Sequence, residues 1–274
     1  MRIQITLTVP EGKRLIAKGI ARRSDVKKAI HHGKILLKGG TTVSAVCEEL
    51  CGKPLRISGR VTPKGTKSSK EIEEVWHCGM IDKGSLRNID GQVELAVSTL
   101  KKGDILILGA NAFDNYGNAA MMIGRASGGG PGRAWCGMMS EISKVIIAVG
   151  IEKIVPGNLN DVTKYTGRRE VDLAMGMAVG LIPIRGEIYT EMEAIQTLAK
   201  VHPQIIGRGG IQGAEGATTL IIDGGKREVS KIFTLIKSLK GCGESGLEES
   251  FEECSPGEKC KFHLACAYAK KKMS

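Results

Sequence analysis

The stretch KILLKGGTTVSAVCEEL (34–50) reads as an apolar strand, a glycine turn and a helix, in that order. Ile35, Leu36 and Leu37 form an uninterrupted apolar run, as in a strand buried on both faces. Gly39 and Gly40 stop it, and Thr41 or Thr42 can cap the helix that follows. The same design recurs in DILILGANAFDNYGN (104–118), where an apolar strand runs into a longer loop. That loop continues to GGGPGRA (128–134), in which Pro131 suits the first turn of a helix and Arg133 stands beside its start. The backbone amides of such turns, with the helix N-terminus behind them, make a site for an anion. In open α/β sheets ligands collect at the carboxyl ends of the strands, so both turns should border one crevice.

Outward from these two segments, strands and helices alternate. Strands are expected at 2–8, 55–61, 144–150, 178–184, 204–207 and 218–223, and helices at 11–32, 93–100, 133–143, 190–200 and 226–240. Segment 71–82 fits either. Alternation with several continuous apolar strands predicts an α/β fold: a Rossmann-like, mostly parallel sheet with helices on both faces. Composition changes at Lys240-Gly241, which separates an α/β domain at 1–240 from a small Cys-rich C-terminal tail at 241–274.

The chain has 274 residues, 42% hydrophobic and 25% charged, which excludes disorder as its main state. The most apolar run, 173–184, falls short of the ~18 residues a membrane span needs. The start, MRIQITLTVP, alternates polar and apolar residues and reads as a strand instead of a signal peptide. A cytoplasmic protein with no membrane partner is expected, and its eight cysteines read as thiols or metal ligands. Glycine counts 37, which points to tight turns and close backbone approach to a ligand. Aromatics at 4% are few for a protein that stacks on single-stranded bases.

The net charge of +11 is concentrated. Residues 1–70 hold 16 Lys+Arg against 4 Asp+Glu, residues 71–240 hold 19 of each, and residues 241–274 hold 5 against 6. Such a field attracts phosphates, anionic cofactors or nucleic acid. Arg14, Lys18, Arg22, Arg23, Lys27 and Lys28 fit a solvated helix face. Arg60, Lys64 and Lys67 lie in a Gly/Pro/Ser-rich loop, where cations can close over a ligand.

KGGTTVSAVCEEL (38–50) and DILILGANAFDNYGNAAMMIGRASGGGPGRA (104–134) resemble, in the same order, two motifs of one superfamily. Its members include ribose-5-phosphate isomerase A, glucosamine-6-phosphate deaminase and the coenzyme A transferases. The resemblance covers residues 12–155 in pattern. It implies a phosphorylated small-molecule ligand, sugar phosphate or nucleotide-like, bound in the first turn by Gly39, Gly40, Thr41 and Thr42. In the second turn it implies Gly109, Asn111, Asn118, Gly128, Gly129, Gly130 and Arg133. A homo-oligomer is expected. The departures are specific. Asn111 and Ala112 stand where the family has acids, and Met122, Ile123, Gly124 and Arg125 offer no match to its lysine. Asp114 is kept, and Glu141 stands on the next helix where the isomerase has its base. Asp114 and Glu141 are therefore the candidate acid/base residues of an isomerase or transferase. The alternatives are a non-catalytic ligand sensor or protein-binding subunit of the same fold, and an RNA-associated protein using the basic first 70 residues.

Four further groups stand out. Cys242, Cys254, Cys260 and Cys266, with His263 among them, suggest zinc or an iron–sulfur cluster, although their spacing is not that of familiar zinc modules. The other reading is a tail docked on the α/β body through Phe251, Phe262, Leu264 and Tyr268. Glu191 and Glu193 fit a helix start. IIGRGG (205–210) fits a third ligand-facing glycine turn with Arg208 near an anion, and Glu215 is a loose nucleophile candidate.

Overall fold

A computed structural model describes residues 1–69, 76–142, 144–247, 260 and 263–269. The chain opens with β1 (Arg2–Leu7), α1 (Val9–Arg22) and α2 (Ser24–His32), then β2 (Lys34–Lys38) and α3 (Thr41–Cys51). A hairpin of β3 (Gly59–Thr62) and β4 (Gly65–Ser68) precedes β5 (Cys78–Asp82), β6 (Ser85–Asn88) and α4 (Val93–Ser98). Next come β7 (Ile105–Leu108), β8 (Ala112–Phe113), β9 (Ala119–Ile123), α5 (Gly129–Arg133), α6 (Trp135–Ser140), β10 (Val145–Ala148) and α7 (Leu159–Thr163). The rest is β11 (Gly180–Ile184), β12 (Glu187–Tyr189), α8 (Glu191–Leu198), β13 (Val201–Arg208), β14 (Thr218–Gly224) and α9 (Lys226–Ser238).

The apolar runs of β2, β7 and β10 build two cores from one sheet. Ile35, Leu37, Ile105, Ile107 and Ile146 point into a core shared with α1, α3 and α8. Leu36, Leu106, Leu108, Val145 and Ile147 point the other way, into a core shared with α4 and α6. Successive strand residues face opposite sides, so a strand covered on both faces must be apolar throughout.

The six strands of this sheet lie in the order β12-β10-β7-β2-β5-β6. β12, β10, β7 and β2 are parallel, whereas β5 and β6 join antiparallel. The mostly parallel sheet expected from the alternation is therefore a mixed sheet. Lys83 and Gly84, at φ 47° and 82°, turn β5 directly into β6, and so short a link permits only antiparallel pairing. Residues 178–184 and 218–223 depart further. β11 pairs antiparallel with β9, and β14 sits between β1 and β13 in a separate antiparallel sheet under α9. Seven of the ten described strand pairings are antiparallel. The strand expected at 55–61 begins only at Gly59, and the helix expected at 133–143 is two short helices meeting at Ala134. No helix among the described residues is long and apolar enough to cross a membrane.

Much of the basic excess of the first quarter is paired and not simply solvated. Arg14 meets Glu48 at 2.6 Å and Lys18 meets Glu49 at 3.1 Å, which ties α1 to α3. Arg23 bridges Asp25 and Glu187. Residues after α9 run back along the same helices. The Gly241 amide donates to Glu11, Lys13 pairs with Glu244, and the buried Ser245 hydroxyl donates to Glu48 and shares a hydrogen bond with the Ser44 hydroxyl. The described end of the tail docks on 174–178, through Ala174 N to Ala265 O at 2.8 Å and Ala178 N to Leu264 O at 3.1 Å. The Lys67 ammonium lies 3.9 Å from the centre of the Tyr268 ring.

Candidate functional site

β2 and β7 are parallel neighbours, so the turns that follow them leave the sheet on the same edge. Residues 39–42 and 109–111 line one cleft of about 600 Å³ there, and Gly128, Gly129 and Pro131 at the start of α5 line it too. Gly39 is required by β5. Its amide donates to His77 O at 2.8 Å, and a Cβ on it would stand 2.2 Å from that oxygen. Gly40 is the N-cap of α3. The amides of Thr41, Thr42 and Val43 begin that helix and have no helical carbonyl behind them. Thr42 is 2% exposed, and its hydroxyl has no hydrogen-bond partner among the described residues.

Among the described residues lining the cleft, Lys13, Lys38, Arg56, Arg60, Arg125 and Lys153 are cations, and Glu244 is the single acid. Glu244 is held by Lys13 at 2.9 Å. Burial holds the ammonium groups of Lys38 and Lys153 below the ordinary lysine range, and for Lys153 the nearby charge of Lys13 adds to the effect. His77 is pushed down to about 3 by burial, and then by the charge of Lys38, so its ring is neutral at physiological pH. Its Nδ1 lies 2.9 Å from Arg56 O and its Nε2 3.3 Å from Ser58 Oγ. From the tail, His263 brings a buried Nε2 that has no partner among the described residues. Met121, Ile123, Trp135, Met177, Val179 and Ile182 add apolar surface to the same cleft. Such a cleft suits a ligand with one anionic and one less polar end.

Behind Lys13 and Lys153 lies a buried carboxyl. Glu191 is 3% exposed and accepts from Ile151 N at 2.9 Å. Burial, aided by Glu152, pushes it up to about 7. It begins α8 under a capping box of Thr190 and Glu193, as a helix-start reading of these acids requires.

Gly39, Gly40, Thr41, Thr42, Gly109, Asn111, Gly128 and Gly129 thus share the cleft, with Gly130 next in α5. The other candidates lie elsewhere. Asp114 is 3% exposed and accepts from Leu159 N at 2.7 Å and from Tyr116 N, Asn118 N and Asn118 Nδ2, each at 2.9 Å. Burial would raise its pKa, but these donors outweigh burial and hold it down to about 2. Asp114 and Asn118 therefore lock the β8–β9 turn onto α7, and the carboxylate has no capacity left for an acid/base role. Glu141 is exposed beyond the end of α6 and does not line the cleft. The Arg133 side chain is 62% exposed, 4.0 Å from Glu94 and outside the cleft. Residues 205–210 belong to the β13–β14 hairpin, where Arg208 and Glu215 are exposed and away from the cleft. Cys47 and Cys51 are thiols raised by burial, Cys47 to about 12. Among the described residues no three Cys, His, Asp or Glu side chains converge as a metal site, and Cys254 lies outside those residues.

Sequence reasoning missed Lys13, Arg56, His77 and Lys153, which reach the cleft from four separate segments. Lys38 had a readable signal, because it stands directly before the glycine pair. Comparison with family models, curated proteins and solved structures finds no match to this chain.

Proposed function

We propose that the cleft binds a phosphorylated small molecule, sugar phosphate or nucleotide-like, with the phosphate against residues 40–42. The observation that supports this reading is the Thr42 hydroxyl, buried at the start of α3 without a partner among the described residues, in a cleft whose described lining holds six basic side chains and one acid. A buried hydroxyl with no partner costs about 1–3 kcal/mol, and a phosphate oxygen supplies the missing acceptor. The free amides of the helix start and the recessed ammonium groups favour the same anion. The volume is in the usual range for small-molecule sites. Recessed cations such as Lys13, 7% exposed, also argue against RNA, which needs a charged stripe at the surface.

Asp114 and Glu141 do not face this ligand, and Glu244 is held by Lys13. Among the described residues no other carboxylate lines the cleft, so none is left there to shuttle a proton between carbons as an isomerase requires. That favours ligand sensing, or chemistry carried by a group other than a carboxylate.

Thermal unfolding with ribose 5-phosphate, ADP and coenzyme A, each against its unphosphorylated counterpart at equal ionic strength, tests the reading. A ligand at a hundred times its Kd stabilises by about 2.7 kcal/mol. At least one phosphorylated compound should raise Tm, and its counterpart should not. No shift with any of them would refute phosphate binding.

A further inference from the structure

The turn after β7 joins the basic part of the cleft to an apolar part. It starts beside the turn after β2, because Leu108 and Lys38 are register partners. It is fixed to β9 by Asn111, whose amide donates to Ala120 O at 2.9 Å and whose Oδ1 accepts from Met122 N at 3.0 Å. β9 pairs with β11, and Met121 stands opposite Ile182 in that register. Opposed residues of an antiparallel pair share a face, so these two side chains are neighbours, and both line the cleft. Ile123 continues the face of Met121. A Cβ on Gly128 would meet Ile123 at 3.7 Å, which brings the α5–α6 segment and its Trp135 against β9. Met177 and Val179 stand just before β11 and line the cleft as well. Ile123, Trp135, Met177, Val179 and Ile182 are only partly buried, so apolar surface is left uncovered there. One polar atom joins it. Ala178 N donates to Leu264 O at 3.1 Å, which seats His263 beside Met177 and Val179. The His263 Nε2 is buried, has no partner among the described residues, and belongs to a ring that lines the cleft.

We propose that the ligand is a nucleotide, with its heteroaromatic base against Met121, Ile123, Trp135, Met177, Val179 and Ile182 and the base edge hydrogen-bonded to His263 Nε2. The proposal rests on the phosphate-binding reading above, which places the other end of the ligand at residues 40–42. A sugar phosphate alone carries oxygen on nearly every carbon, and it would set hydroxyls against these six side chains with their hydrogen bonds unmade. A hydrocarbon chain would cover the side chains but leave Nε2 without a partner. A base has an apolar face for tryptophan, isoleucine and the methionine thioethers, and a polar edge for an imidazole nitrogen, which can donate or accept.

AMP, GMP, CMP and UMP are each ribose 5-phosphate with a base added, so ribose 5-phosphate is the control that lacks only the base. Pantetheine 4′-phosphate is the control with a chain in place of the ring. The full-length protein is titrated calorimetrically with all six. At least one nucleotide should bind tenfold or more tighter than ribose 5-phosphate. That nucleotide should also quench the fluorescence of Trp135 in a Trp76→Phe background, and ribose 5-phosphate should not. His263→Ala should weaken the nucleotide about tenfold and leave ribose 5-phosphate unchanged. Met177→Ala, on a separate segment, should show the same pattern and replaces His263→Ala if that variant fails to fold. Ribose 5-phosphate binding as tightly as every nucleotide would overturn the base site and leave phosphate binding standing. Pantetheine 4′-phosphate binding more tightly than all four nucleotides would overturn it in favour of an apolar chain. Binding of none of the six would overturn the phosphate reading itself.

Discussion

The two glycine turns begin alike in sequence and differ in how their polar groups are satisfied. In the second turn both carboxylate oxygens of Asp114 are engaged, and four donors from three residues converge on them. The Asn111 side chain likewise accepts from Met122 N at 3.0 Å. In the first turn the Thr42 hydroxyl has no partner among the described residues, and the leading amides of α3 have none within their helix. A satisfied acid in a loop holds the loop together, whereas a buried hydroxyl without a partner adds nothing to the stability of its turn. The acidic residue that looked catalytic therefore anchors a turn, and the proposed ligand contact falls to the threonine after the other glycine pair.

The largest expected effect is on the satisfied side. Asp114→Ala leaves three backbone amides and the Asn118 side chain without their acceptor, and should cost about 3 kcal/mol or more in urea unfolding. Its pH dependence has a definite sign. The folded pKa of about 2 lies below the ordinary aspartate value of 3.8, so the carboxylate stabilises the fold fully above about pH 4. That stabilisation is lost as pH falls through 2. The gap between wild type and Asp114→Asn should hold constant from neutral pH to about pH 5 and then shrink. A gap that widens on acidification would contradict the hydrogen-bonded anchor.

The second effect separates the glycines. Gly39→Ala places a Cβ 2.2 Å from His77 O and should destabilise by about 1–3 kcal/mol. Gly109→Ala meets nothing nearer than Ala148 O at 3.7 Å, so its stability should stay within about 0.5 kcal/mol. Tm values of the two variants decide this, and equal losses would remove the distinction between a turn pressed by a neighbouring strand and one open to the cleft.

How far such differences were legible follows from particular residues. The strands at 35–37 and 105–108 were readable because burial on both faces forces unbroken apolar runs, and their parallel pairing brought both turns to one cleft. The pairing of β11 with β9 and of β14 with β1 was not readable, since the partners are remote and nothing local records register. Asp114 was ambiguous because AspAsnTyrGly (114–117) serves a turn as well as a catalyst. Lys13 and Lys153 could be placed only by the fold, which brings α1 and the turn after β10 to the same cleft.

The smallest effect on stability should come from Thr42→Val. The hydroxyl has no partner to lose, so the variant should fold with wild-type stability to within about 0.5 kcal/mol. Affinity for the phosphorylated ligand should nevertheless fall about tenfold, the equivalent of about 1.4 kcal/mol, by calorimetric titration. Unchanged affinity would place the phosphate elsewhere.

The central claim, that residues 40–42 are an anion site, is tested most directly by anomalous diffraction from crystals soaked in tungstate, a tetrahedral stand-in for phosphate. The account predicts an anomalous peak within hydrogen-bonding distance of the Thr42 hydroxyl and the Thr41 and Thr42 amides, absent in Thr42→Val crystals soaked at a limiting concentration. A well-occupied peak elsewhere on the protein, with none at the start of α3, would contradict it.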